Sequence, residues 1–339
     1  MGKEPRDAKT AALLRWTGEG SLGDLMRSVS RVLVGHKFLV RRVGVTISIS
    51  GGEPSTAARL VAFLPGVEWI GLGYTTHGGL EEILRVVEVL GRRYLRRKST
   101  FRVRAESARA TLAESDVTGA VNSRLLELRP GVRTDERRPE VTFRVAVDPR
   151  VGAAGVEIRR GVGGVPTSPT KACCLVSGGM HSSVVAWMTA LSGFSIELVH
   201  ARRSNESVVE VARLYSELSH RLDPKSLTLT LLTGADGSSA AEILSGWLKR
   251  RRRGPVFSGL HLECKGGRRP GRGDPRVLAP LLLMPESEFS RVFGSLGLRG
   301  CFDGGDVLSK VHSAVPARYK MATFSGVRAD LHRVVDSIS

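Results

Sequence analysis

The stretch KACCLVSGGMHSSVV, residues 171–185, does most to restrict what this chain can become. Ala172 to Val176 is a short apolar run of the kind a parallel strand buries on both faces. Ser177-Gly178-Gly179 is a sharp turn, and an amphipathic segment starts at Ser182. Strand, glycine turn and helix start in that order make an anion seat. The glycines let the backbone come close to a guest, Ser177, Ser182 and Ser183 bring hydroxyls, and the first N–H groups of a helix have no partner within it. The expected guest is phosphate. Taken alone an SGG run is only a tight turn, so the reading depends on its surroundings.

Downstream, strand and helix patterns alternate regularly. Strands are predicted at 194–200, 226–232 and 256–260, and helices at 207–222, 238–248 and 286–296. Such alternation predicts an α/β, doubly wound parallel sheet, whose ligand sits beyond the carboxyl ends of the strands. The SGG turn lies at that end of the first strand. Upstream, a first α/β segment is predicted over 1–76, with strands at 11–16, 38–50 and 67–72 and helices at 21–34 and 55–63. In the strand at 38–50, Val43, Val45, Ile47 and Ile49 are expected on one face. A second α/β segment spans 77–160. It has a helix through Leu80, Ile83, Leu84, Val87 and Leu90, strands around 101–105, 139–148 and 156–158, and a helix at 116–128. Glycine and proline density marks 161–170 as a linker, leaving 171–339 as the third domain.

Charge narrows the partner. Fifty-one Lys and Arg against 33 Asp and Glu leave a formal charge of +18, spread along the chain, which suits a polyanion such as RNA; Arg-rich surfaces of a thermophile or a generally basic proteome give the same excess. Two clusters stand out. Arg92, Arg93, Arg96, Arg97, Lys98, Arg102 and Arg104 surround Tyr94 and Phe101, and either line an RNA surface or form a solvated rim. Lys249, Arg250, Arg251, Arg252 and Arg253 close a helix with more cations than its dipole calls for. The four cysteines, Cys173, Cys174, Cys264 and Cys301, form no CxxC pair, so neither a disulfide framework nor a structural metal is expected. Cys173 and Cys174, adjacent in a strand, should face opposite ways into core. No apolar run reaches membrane-spanning length and the N-terminus has no apolar signal core, so a cytoplasmic chain without a membrane partner is expected.

With these pieces in place the chain resembles the tRNA 4-thiouridine synthetase family, the tRNA sulfurtransferases. The linker Gly163-Gly164-Val165-Pro166 is similar to the family's GGxP, and the strand 173–176 followed by Ser177-Gly178-Gly179-Met180-His181-Ser182-Ser183 is similar to its pyrophosphatase-loop signature SGGxDS. The resemblance implies an N-terminal ferredoxin-like domain, a THUMP domain for tRNA and an adenylating pyrophosphatase-loop domain. It implies ATP with Mg²⁺, a persulfide sulfur donor supplied by a cysteine desulfurase or other sulfur carrier, and a possible link to thiamine biosynthesis; a homodimer is a further expectation. Position by position, Leu175 and Val176 would line the nucleotide and residues 177–183 would cradle phosphate. His200-Ala201 would flank adenine where the family has His-Phe, and Gly259 would stand for the glycine of its TGE turn. Residues 278–284 resemble the segment before the family's catalytic cysteine, which places that role on Cys301, beside Arg299 in a glycine-rich loop.

Departures from the pattern bear on chemistry. His181 replaces the Asp of SGGxDS, Leu260 replaces the Glu of TGE, and the family's downstream Arg and Gln have no clear counterpart. Each removes a polar handle for nucleotide or magnesium, while tRNA binding is untouched. Asp303 and Asp306 are the nearest substitutes for a cation ligand, and a solvated turn explains them equally simply. Two rival classes stay open: a non-catalytic tRNA-binding relative, and a THUMP-containing methyltransferase. The latter calls for an acidic residue closing the second strand, where this chain reads His200-Ala201-Arg202-Arg203.

Overall fold

The computed structural model describes residues 8–77, 79–107, 112–148, 150–177, 179–202, 204–234, 238–250, 254–258, 277–278 and 319–325. The chain divides into two compact units, Met1–Pro166 and Thr167–Ser339, with the break inside the segment read as a linker. No helix among the described residues is long and apolar enough to cross a membrane.

The first unit runs β1 (Lys9–Trp16), α1 (Leu22–Val32), β2 (Leu39–Val43), β3 (Thr46–Ser50), α2 (Pro54–Val61), β4 (Val67–Thr76), α3 (Leu80–Tyr94), β5 (Thr100–Ser107), α4 (Glu114–Leu128), β6 (Arg133–Thr134), β7 (Val141–Val147) and β8 (Gly152–Gly163). Among the described residues these strands form one eight-stranded sheet in the order β2-β3-β1-β4-β8-β7-β5-β6. The two α/β segments separated at 76/77 in the sequence therefore share a sheet, because β4 pairs with β1 on one edge and with β8 on the other. Only 156–158 was expected as strand in that region. β8 is 12 residues long, and its sequence GAAGVEIRRGVG hides the rest behind small and charged residues.

The single strand expected over 38–50 is two. Gly44 takes a left-handed φ of 62° and turns the chain, so that Val43 pairs with Thr46 across a two-residue hairpin loop. The shared face expected for Val43, Ile47 and Ile49 is lost with it. Val43 packs with Leu13 and Trp69, while Ile47 and Ile49 join the core under α1 and α2.

Residues paired across neighbouring strands project from the same face, so register sorts the sheet into two sides. Leu14 pairs with Ile47 and Ile70, Leu72 with Val156, and Val156 with Phe143. That side carries all four helices. α1 and α2 bury Leu25, Val29, Ala57 and Val61 against Leu14, Ile47, Ile49 and Ile70, and α3 and α4 bury Val86, Leu90, Val121 and Leu125 against Phe101, Phe143 and Val145. Gly91 permits the close crossing of α3 and α4, since a Cβ there would lie 2.7 Å from Leu125 Cδ2. The opposite side presents Arg15, Trp69, Arg102, Arg104 and Arg144.

The second unit runs β9 (Lys171–Leu175), α5 (Met180–Leu191), β10 (Ser195–Ala201), α6 (Asn205–Ser219), a 3-10 turn (Pro224–Ser226), β11 (Leu227–Gly234), α7 (Ala240–Arg250), β12 (Val256–Ser258), β13 (Val277–Leu278) and β14 (Tyr319–Ser325). Its sheet has the order β13-β12-β9-β10-β11-β14, parallel throughout except for the antiparallel edge strand β14. β14 is absent from the sequence reading. Helices cover both faces: α7 packs on Cys173, Leu175, Val199 and Leu232, while Cys174 bonds Thr189 of α5 on the other side. The two adjacent cysteines thus point opposite ways, both buried. The helix expected at 286–296 lies outside the described residues.

Chain order places the site. The chain steps from β9 to β10 and on to β11, then returns to β12 on the far side of β9. Between β9 and β12 the connections diverge, and in open α/β sheets a crevice for ligand opens at that switch point, beyond the carboxyl ends of the strands.

Candidate phosphate loop and basic faces

β9 ends at this switch point. Leu175 and Val176 are buried there, and the Val176 N–H donates to Val199 O at 2.9 Å, extending the parallel pairing one residue past the strand. Ser177 follows, Gly178 lies outside the described residues, and Gly179 caps α5 in an extended conformation. The serines hold the turn together. The Ser177 N–H donates to Ser182 Oγ (3.3 Å) and the Gly179 N–H to Ser177 Oγ (3.4 Å). The hydroxyls of Ser182 and Ser183 both donate to Gly179 O, at 2.9 and 3.1 Å. A hydroxyl has one proton to give. Ser182 and Ser183, both buried, are therefore braces of the loop, and the groups left to meet an anion are the backbone N–H groups of the first turn of α5 and the Ser177 hydroxyl. No side-chain hydrogen bond caps α5 and its first turn has no acidic residue, so among the described residues of this turn no anionic group meets the positive end of the helix dipole.

His200, at the end of β10, is only 1% exposed. Its Nδ1 lies 2.8 Å from the Val176 carbonyl and its Nε2 3.1 Å from Ser207 Oγ. Ser207 belongs to the capping box of α6: its hydroxyl meets Ser204 O at 2.9 Å, and Ser204 and Ser207 exchange backbone-to-hydroxyl bonds at 3.3 Å. The imidazole thus ties the root of the phosphate loop to the N-terminus of the next helix. Ala201 beside it is buried. The sequence reading assigned His200 to adenine and overlooked Ser207, whose only advance signal is the Ser204-x-x-Ser207 spacing before an apolar run.

On the other flank, Ser258 closes β12 in register with Leu175. It is 1% exposed, and its hydroxyl has no hydrogen-bond partner among the described residues. A buried hydroxyl left open at a switch point is a ready contact for a ligand. Gly259, the expected nucleotide neighbour, lies outside the described residues, as does Cys301. Cys174 is no alternative nucleophile, since complete burial pushes its thiol up to about 12.

Strand alternation splits the first basic cluster in two. Arg92, Arg93, Arg96, Arg97 and Lys98 are exposed at the end of α3 and the turn after it. Arg92 pairs with Glu88 at 3.5 Å, Arg93 stacks over Tyr94, and Lys98 holds a left-handed φ of 70°. Arg102 and Arg104 belong to the side of the sheet away from α3. In the second cluster Lys249 and Arg250 are exposed at the end of α7, and Arg251, Arg252 and Arg253 fall outside the described residues.

No family model matches the chain. It is 29% identical over 147 residues to a probable tRNA sulfurtransferase of Agathobacter rectalis, covering 40% of this chain and 37% of that protein. To probable tRNA sulfurtransferases of Bacillus velezensis and Bacillus subtilis it is 22% identical, over 186 and 190 residues, covering 52% and 53% of this chain and 46% and 47% of theirs. The chain is a relative of the tRNA sulfurtransferases. Its matches span less than half the length of these curated relatives. The fold agrees. A 4-thiouridine synthetase solved with RNA and bound ATP superposes with a TM-score of 0.66 at 18% identity, covering 85% of both chains. A crystal structure from Pyrococcus horikoshii superposes with 0.63 at 17% identity, covering 85% of this chain and all of that one.

Against the tRNA sulfurtransferase pattern, the loop is complete in shape and incomplete in charge. Residues 176–183 contain no carboxylate, because His181 occupies the second helical position of α5 where the family carries Asp. A hard cation wants oxygen ligands, and no cluster of three or more His, Cys, Asp or Glu side chains suited to a metal occurs among the described residues. Among the described residues the loop offers backbone donors suited to phosphate and no carboxylate for Mg²⁺.

Proposed function

We propose that this chain binds tRNA and acts in tRNA modification on the sulfurtransferase pattern, with the 177–183 loop seating nucleotide phosphate and with adenylation slowed by the loss of the loop carboxylate. The observation that carries this reading is the braced strand–loop–helix at the switch point of a sheet whose relatives by sequence are probable tRNA sulfurtransferases. In the reaction so assigned, uridine O4 displaces pyrophosphate from the α-phosphorus of ATP. The terminal sulfur of a persulfide, delivered by a carrier, then displaces AMP from C4 to leave a mixed disulfide, and a second thiol attacks the carrier-side sulfur, forming a protein disulfide as the 4-thiouridine sulfur leaves. The chain's own part is to hold the phosphates on backbone N–H groups, to keep the loop rigid through His200, and to present tRNA on basic surfaces. His181 cannot stand in for a carboxylate toward magnesium, but its ring does not remove the backbone donors.

The test measures AMP and pyrophosphate binding to the full chain, together with tRNA-dependent pyrophosphate release from ATP. Anion binding with very slow release is expected, and His181→Asp should raise Mg²⁺-dependent release. Brisk release by the natural chain that this substitution destroys would falsify the slowed-site reading. The bare loop also favours a second reading, a non-catalytic tRNA-binding relative. Mass spectrometry of tRNA from a host lacking the gene separates the two: loss of a thiolated uridine supports the enzyme, and an unchanged tRNA supports the binder.

A further inference from the structure

The helix-free side of the first unit's sheet holds a groove of about 640 Å³ whose wall includes Arg15, Arg102, Arg104, Arg144 and Arg160. Only Glu68 and Glu157 oppose these five cations in the lining, and both are engaged. Glu157 takes two bonds from Arg144, at 3.0 Å from Nε and 2.7 Å from Nη2, in a pair largely withdrawn from solvent. Glu68 lies 3.3 Å from Arg15, which also meets Glu106 at 2.9 Å. The rim cations are held far more loosely. Arg104 has one ion pair, with Glu136 at 3.1 Å, in which both side chains are at least half exposed, the kind of pair that exchanges readily for another anion. Arg102 bonds the Thr142 hydroxyl and the Glu136 carbonyl, and Arg160 has no ion pair or hydrogen bond among the described residues. At the floor the Arg144 guanidinium stacks on Trp69, 4.9 Å from the ring centroid. The Trp69 ring is 2% exposed and its indole N–H has no acceptor among the described residues.

We propose that this groove is a phosphate track for an RNA strand, separate from the basic end of α3. The inference rests on the tRNA reading above and specifies which face of the sheet the RNA backbone follows. A run of cations suits a linear polyanion better than a single small anion. Arg102 and Arg104 stand two residues apart on β5, about 6.6 Å along the strand, which is close to one nucleotide step of an extended backbone. Arg160, in register with Trp69, carries the line across the sheet to β8. Guanidinium forks match phosphate oxygens, and Trp69 adds a neutral donor beneath them.

The experiment compares the full chain with Arg104→Gln/Arg160→Gln, tRNA affinity being measured against salt, alongside Arg104→Lys/Arg160→Lys as a charge-preserving control. Both positions are exposed, and circular dichroism checks that the variants fold. If each arginine neutralises one phosphate of an unpaired strand, the Gln variant loses about 1.4 units from the log–log salt slope, while the Lys variant keeps it. Trp69 emission should also change on adding tRNA, and Trp69→Phe should lose that change. If the natural chain binds tRNA and the Gln variant has the same slope and affinity, the groove proposal is overturned and the tRNA reading stands. If the natural chain binds no tRNA, the tRNA reading itself falls. If inorganic pyrophosphate saturates the Trp69 signal while tRNA leaves it unmoved, the groove is a small-anion site and the proposal fails.

Discussion

Replacing His200 by Leu tests whether the imidazole holds the phosphate loop. The substitution keeps an apolar body of similar size in a site that is 1% exposed and removes both ring nitrogens. Two bonds go with them, to Val176 O and to Ser207 Oγ. Val176 is 4% exposed, so its carbonyl is left without its imidazole partner in a dry site, which costs about 1–3 kcal/mol. With the ring gone the Ser207 hydroxyl can give its one proton to Ser204 O instead, so its loss is about 0.5 kcal/mol. The sum, about 1.5–3.5 kcal/mol, should fall on the local opening of the loop and the start of α6. Amide exchange followed by mass spectrometry reads this directly: protection over 171–191 and 195–219 should drop by about 10- to 400-fold, with the first unit unchanged. His200→Asn places an amide N–H near the Nδ1 position and should recover part of the loss. Equal protection in the natural and Leu chains would refute the bracing role, as would a loss spread evenly over both units.

Further expectations concern the buried carboxylate of the first unit and the thiol of the second. Burial raises the Glu106 carboxyl above its usual 4.5, against the opposing pull of Arg15, so between the ordinary value and the raised one the folded chain holds the proton that the unfolded chain has released. The contribution of Glu106 to stability is therefore present below about pH 4.5 and falls as pH rises through the raised value. Urea unfolding of Glu106→Gln should lack that decline, and an identical pH profile in both chains would count against it. Cys301→Ala should abolish thiolation of tRNA while leaving tRNA affinity within a few fold; the same loss from Cys264→Ala alone would move the assignment to that residue.

What the sequence made legible follows from how far each signal reaches along the chain. The strand–turn–helix at 171–185 was readable because all its determinants lie within about a dozen consecutive residues, and strand, glycine turn and helix start leave separate local marks. His200 and Ser207 act on that loop from the next strand and helix, so their bonds to it leave no local mark; the resemblance gave His200 a place beside adenine, and the structure adds its bracing bonds. Most of β8 beyond 156–158 escaped because a strand paired on both edges needs no alternation to be stable; its register with β4 and β7, which no local pattern encodes, supplies the hydrogen bonds. The basic cluster is one run in the sequence and two places in the structure. Arg92 to Arg104 are neighbours in sequence, yet a helix end followed by a strand sends them to different sides of one sheet. The groove that receives Arg102 and Arg104 is completed by Arg15, Arg144 and Arg160, drawn from three other strands. Arg15 and Arg144 are the single arginines of their strands, and Arg160 follows Arg159, which turns to the other face and stacks on Phe63. Only pairing register makes them neighbours of Arg102 and Arg104, and so the sequence could single out those two within a basic cluster and still leave the rest of the groove unread.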